Sequence, residues 1–182
     1  MILLSGSAAM LISHAYQPQM PSFAQDLGYG AAGLLYGMLL AADAGGALTA
    51  GLLLEGSGLL PPRPRTAFVL VMLWCGALAG FAMSTSYFNA LLLLFTAGFF
   101  ELSYNSMIQT LVQLNAPSAI RGRVLGLYSM AGLGLRAFSG ITIGLGGSLI
   151  GIHASLALSA GPLCAITLLL WVHRGSAMDL TR

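Results

Sequence analysis

Four polar residues in one long apolar stretch set the strongest constraint on this chain. Glu101, Asn105, Gln109 and Gln113 recur at intervals of four within the apolar segment 87–113. Four helical residues overshoot one full turn by about 40°, so the four form a single slanting polar stripe. Lipid offers such groups no hydrogen-bond partner, so the stripe needs a face lined by water or by protein. The chain must therefore give this helix an interior.

Composition names the environment. The chain is 57% hydrophobic and 7% charged, with a mean hydropathy of +0.87. A soluble domain carries about 25% charged residues. The expected fold is an all-α, polytopic integral membrane protein forming one domain over residues 1–182. A membrane helix needs about 20 mostly apolar residues. Six segments qualify: 1–20, 30–54, 66–84, 87–113, 122–149 and 152–173. Their connections are short, so sequence neighbours are expected to be antiparallel neighbours in space.

The first segment has the apolar run of a signal peptide but no positive n-region, so it reads as a first span. Pro18 and Pro21 are expected to break it at its far end. Met1 opens almost directly on the apolar run, which suggests a truncated chain or a module of a larger protein. The second segment places Gly37, Gly45, Gly46 and Gly51 around Asp43, giving small surfaces for close helix contact. Pro61-Pro62-Arg63-Pro64 reads as a stiff basic turn between two spans. The third and sixth segments are apolar and carry no ionisable group near their middles. They are expected to face lipid or act as packing.

Orientation follows from the arginines, since the chain has no lysine. Arg63 and Arg65 lie between spans two and three, Arg121 and Arg123 between four and five, and Arg174 and Arg182 after six. The opposite loops contain no basic residue. The positive-inside rule then places both termini in the cytoplasm. Arg136, inside span five, is the exception. The net charge of +2 is too small and dispersed for nucleic-acid binding. Cys75 and Cys164 fall in apolar segments and read as small buried side chains.

Asp43, Glu101 and Arg136 each fall near the middle of a span. At 1.5 Å per residue they share a depth within roughly 5 Å. Two acids and one arginine leave one acid beyond charge balance. Two readings follow: a proton-carrying acid, or a structural ion pair that locks helices together. Asn105, Gln109 and Tyr104 line a path or hydrogen-bond between helices. His14 reads as a packing donor. Gly132, Gly134 and Gly140 follow no strand, which excludes a nucleotide-binding loop.

Several stretches resemble the carboxy-terminal half of a major facilitator superfamily transporter, above all the branch containing enterobactin exporters and macrolide-efflux proteins. Met20-Pro21-Ser22-Phe23-Ala24 and Gly33 to Gly37 look like the outer end of its seventh helix and the start of its eighth. Gln109-Thr110-Leu111-Val112-Gln113, Pro117 and Arg121-Gly122-Arg123-Val124 look like the end of its tenth helix and the following loop. Gly126-Leu127-Tyr128, followed by spaced glycines, looks like its eleventh. Gly51 to Gly58 partly matches the superfamily's loop motif, with Glu55 as the acid. Gly56 stands where the motif has arginine, and Leu59 and Leu60 stand where it has basic residues.

The resemblance implies six transmembrane helices built as two inverted three-helix repeats, half of a twelve-helix fold with its cavity at the midplane between halves. Spans one, two, four and five would then line the cavity, and three and six would lie outside. Glu101, Asp43, Arg136, Asn105, Gln109 and Tyr104 would belong to the transport pathway. Arg121, Gly122, Arg123 and Glu55 would belong to cytoplasmic gating loops. The arginines alternatively set topology and contact lipid phosphate.

The expected activity is secondary transport, proton-coupled export of a small molecule across the inner membrane. Its partners would be lipid, the substrate, and a second six-helix half or a second copy. The alternative is a non-transporting scaffold or inactive fragment. An enzyme is disfavoured, because His14, His153 and His173 have no metal-ligand spacing and no nucleophile has a nearby base in sequence. No cofactor or metal is expected.

Overall fold

The computed structural model describes residues 2–11, 16–17, 20–26, 33–57, 61–135, 138, 151, 156 and 161–171. The fold is all-helical, with no strand among the described residues. In chain order the α-helices are α1 (Ile2–Leu11), α2 (Met20–Asp26), α3 (Leu34–Ser57), α4 (Pro64–Ala82), α5 (Tyr87–Asn115), α6 (Arg121–Ser129) and α7 (Gly161–Trp171). A 3-10 turn, Ser118–Ile120, leads into α6, and a π-helical turn, Met130–Gly134, follows it.

Among the described residues three helices are long and apolar enough to cross a membrane: α3 through Leu34–Leu54, α4 and α5. They match the second, third and fourth expected segments within a few residues. Four serine and threonine hydroxyls are satisfied within their own helices. Thr49, Ser103, Thr110 and Thr167 each donate to the carbonyl four residues back, at 2.7, 2.7, 2.9 and 2.7 Å. Such back-bonding lets a hydroxyl lie in apolar surroundings. Pro64 begins α4, where its missing N–H would have had no helical partner.

The expected first span is not one continuous helix. α1 ends at Leu11, Tyr16 and Gln17 form a turn, and helix resumes at Met20. Pro21 lies in the first turn of this second helix, where proline is tolerated, and Pro18 lies outside the described residues.

The core lies where α4 and α3 pack on α5. Half of α4 is buried, including Phe68, Val71, Trp74, Leu78 and Phe81. Phe81 meets Phe23 of α2 with ring centroids 4.7 Å apart, and Phe68 meets Trp171 of α7 edge-on at 5.4 Å. The third segment thus packs inward on one face and exposes Val69 and Leu73 on the other. Tyr87 fastens the start of α5 to the start of α3, donating to the Leu35 carbonyl at 2.6 Å.

Candidate functional site: two buried carboxyls at a helix crossing

α3 and α5 cross in backbone contact. A Cβ at Gly46 would strike the carbonyl of Phe95, and one at Gly98 would strike the carbonyl of Asp43. Gly46 lies three residues after Asp43 and Gly98 three before Glu101, so each glycine shares a helix face with an acid. The crossing therefore turns both carboxyls toward the same interior. Asp43 and Glu101 are 6% and 7% exposed.

Tyr16 enters from the turn between α1 and α2 and is fully buried. Its hydroxyl oxygen lies 3.2 Å from Asp43 Oδ1 and 3.3 Å from Glu101 Oε2. Gln17 donates through Nε2 to Asp43 Oδ2 at 3.0 Å. Asp43 thus has a partner on each carboxylate oxygen, as buried polar groups require. The two acids expected at one depth are joined through a phenol that sequence reasoning had not selected. The available signal was a Tyr-Gln pair beside Pro18 at the end of an apolar run.

Two cavities adjoin this centre. One, of about 420 Å3, is lined by Gln17, Asp43, Glu101 and Asn105. The other, of about 230 Å3, is lined by Ser5, Trp74, Glu101, Tyr104, Asn105 and Tyr128, among others. Glu101 and Asn105 belong to both walls, whereas Asp43 borders only the larger cavity.

Tyr104 donates to the Leu4 carbonyl of α1 at 3.2 Å, an interhelical bond, and also borders the smaller cavity. Its ring stacks on Trp74 at 6.0 Å. The Trp74 indole N–H is buried with no hydrogen-bond partner among the described residues. Trp74 therefore brings α4 to a cavity wall that the resemblance reserved for other spans. No ionisable group marked it in the sequence.

The other expected site residues lie apart from this centre. Gln109 and Gln113 are exposed further along α5, so only Glu101 and Asn105 of the stripe reach the cavities. Arg121, Gly122 and Arg123 are exposed at the start of α6, where Arg121 Nη2 reaches the Ala116 carbonyl at 3.5 Å. Glu55 falls in the last turns of α3, and its side chain lies outside the described set. Arg136 and His14 lie outside the described residues. Cys75 and Cys164 are free thiols, one buried and one half-buried.

No family model matches the chain, and no curated protein matches it either.

Proposed function

We propose that this chain is a six-span half of a secondary transporter, of the kind found in major facilitator exporters, and that Asp43 and Glu101 couple its transport to protons. One observation carries the reading: two buried carboxyls meet at a glycine-lined crossing between cavities that share Glu101 as a wall. Ionisable groups within apolar helices are costly, and they characteristically mark ion pathways and proton relays. The four expected motif regions and the arginine alternation support the wider assignment, with both termini cytoplasmic in an inner membrane. Gln109 and Gln113 face outward on α5 and would be covered by a second half or a second copy.

The test uses inverted membrane vesicles containing the full chain and a fluorescent reporter of the pH gradient. Erythromycin and a catechol siderophore serve as probes, chosen from the substrate classes of the resembled exporters. Addition of at least one should dissipate the gradient with the wild type and not with Glu101→Gln. Equal responses from both proteins would remove Glu101 from the proton path, and no response to either probe would favour a non-transporting role.

A further inference from the structure

α4 and α7 carry the chain's two cysteines, and the helices meet in a definite register. Phe68 of α4 packs edge-on against Trp171 of α7, with ring centroids 5.4 Å apart. Cys75 follows Phe68 by seven residues, and Cys164 precedes Trp171 by seven. Seven residues fall only about 20° short of two helical turns, so each cysteine shares a face with the aromatic residue of its own helix. The two thiols are in hydrogen-bond contact. α4 and α7 therefore run antiparallel along one seam, with the second contact about 10 Å from the first. Cys75 is buried and Cys164 half-buried.

The surroundings limit what such a pair can do. No Asp, Glu, Lys, Arg or His occurs in residues 66–82 or 161–171. Neither helix offers a charged partner at this depth, and an unpaired buried charge is costly. Two thiolates holding a monovalent soft cation would leave such a charge. A disulfide carries none. Its sulfurs lie about 2.05 Å apart, so thiols already in contact need to close by only about 2 Å.

We propose that Cys75 and Cys164 form a dithiol site that closes to a disulfide between α4 and α7 when a membrane-permeant two-electron acceptor of the diazene or quinone class takes up its two hydrogens. With a diazene, the half-buried Cys164 reacts first. Its sulfur bonds to one nitrogen of the N=N group, and its proton passes to the other. The Cys75 sulfur then attacks the Cys164 sulfur, the S–N bond breaks, and the Cys75 proton goes to the departing nitrogen. The products are one disulfide and one hydrazine. The bond fastens α7 to the buried core through Cys75, which directly follows the cavity-wall residue Trp74. The site makes no use of Asp43, Glu101 or a proton gradient, so it stands apart from the transport reading.

Diamide, a diazene, is the probe, added to the full chain in lipid nanodiscs. The intact monomer should become lighter by two hydrogen atoms, and a phosphine reductant should restore its mass after denaturation. Peptide mapping should find Cys75 joined to Cys164. The oxidised protein should melt at a higher temperature than the reduced one, because the cross-link restricts the unfolded chain. Cys75→Ala and Cys164→Ala should each abolish the mass loss. Should either variant fail to fold, the peptide map of the wild type still decides. An unchanged mass or a disulfide-linked dimer overturns the inference. A diamide adduct persisting on Cys164 also overturns it, because Cys75 would then be out of reach. So does a lower melting temperature on oxidation, which would show that the helices must separate for the bond to form.

Discussion

Gly98 of α5 lies against the backbone carbonyl of Asp43 on α3, with no room for a methyl group between them. The contact sets how closely the two helices approach and hence where both acids point. Gly98→Ala should destabilise the fold by about 1–3 kcal/mol, the usual cost of overpacking a tight contact. Gly46→Ala should behave alike. Gly76→Ala is the control, since nothing lies within 4 Å of a Cβ there. Denaturation in detergent, followed by helical circular dichroism, measures all three. Equal stability across the set would show that the backbone crossing is not what holds α3 to α5.

Removing the Tyr104 hydroxyl separates packing from chemistry. Tyr104→Phe loses the bond to the Leu4 carbonyl and keeps the stacking on Trp74. Interhelical hydrogen bonds of this kind average about 0.6 kcal/mol and reach at most about 2. A loss in that range is expected in the same denaturation assay, with proton-coupled transport retained. Loss of transport at unchanged stability would place Tyr104 in the pathway instead.

Topology can be read with single cysteines at Ser86 and Ser118, in a background lacking Cys75 and Cys164. Both positions are exposed, beside the start of α5 and just after its end. The arginine alternation would put Ser118 on the cytoplasmic side and Ser86 on the other. An impermeant maleimide applied to intact cells from the periplasmic side should label Ser86→Cys alone. Labelling of Ser118→Cys under those conditions would reverse the orientation.

Gln109 offers a test of assembly. It is exposed on α5, and a polar amide facing lipid has no partner for its hydrogen bonds. A cysteine at Gln109 should crosslink to a second six-helix unit in native membranes. A stable, transport-active monomer in nanodiscs, with no crosslinked product, would contradict the half-transporter reading.

Much of this was legible in the sequence, and for identifiable reasons. α3, α4 and α5 are long and continuously apolar, so segments 30–54, 66–84 and 87–113 anticipated Leu34–Ser57, Pro64–Ala82 and Tyr87–Asn115 closely. The shared depth of Asp43 and Glu101 followed from helical rise alone. Their lateral meeting did not, because it depends on which of several glycines forms the crossing. Gly46 does, whereas Gly37 has open space around it. Tyr16 was hidden because segment 1–20 reads as one apolar run, yet Tyr16 itself lies in a turn. Trp74 was hidden because an apolar helix with no charge gives no sign of which side chain meets a cavity.

The turn that carries Tyr16 has a mechanical consequence. α3 and α5 are in backbone contact beside the acids, whereas Tyr16 reaches both acids from outside those two helices. Its contacts of 3.2 and 3.3 Å are longer than the usual O–H···O separation of about 2.5–3.0 Å. A shift of Tyr16 by a fraction of an ångström relative to α3 and α5 would open one of these links. One hydroxyl group thus ties the start of the chain to an acid on each of two long helices.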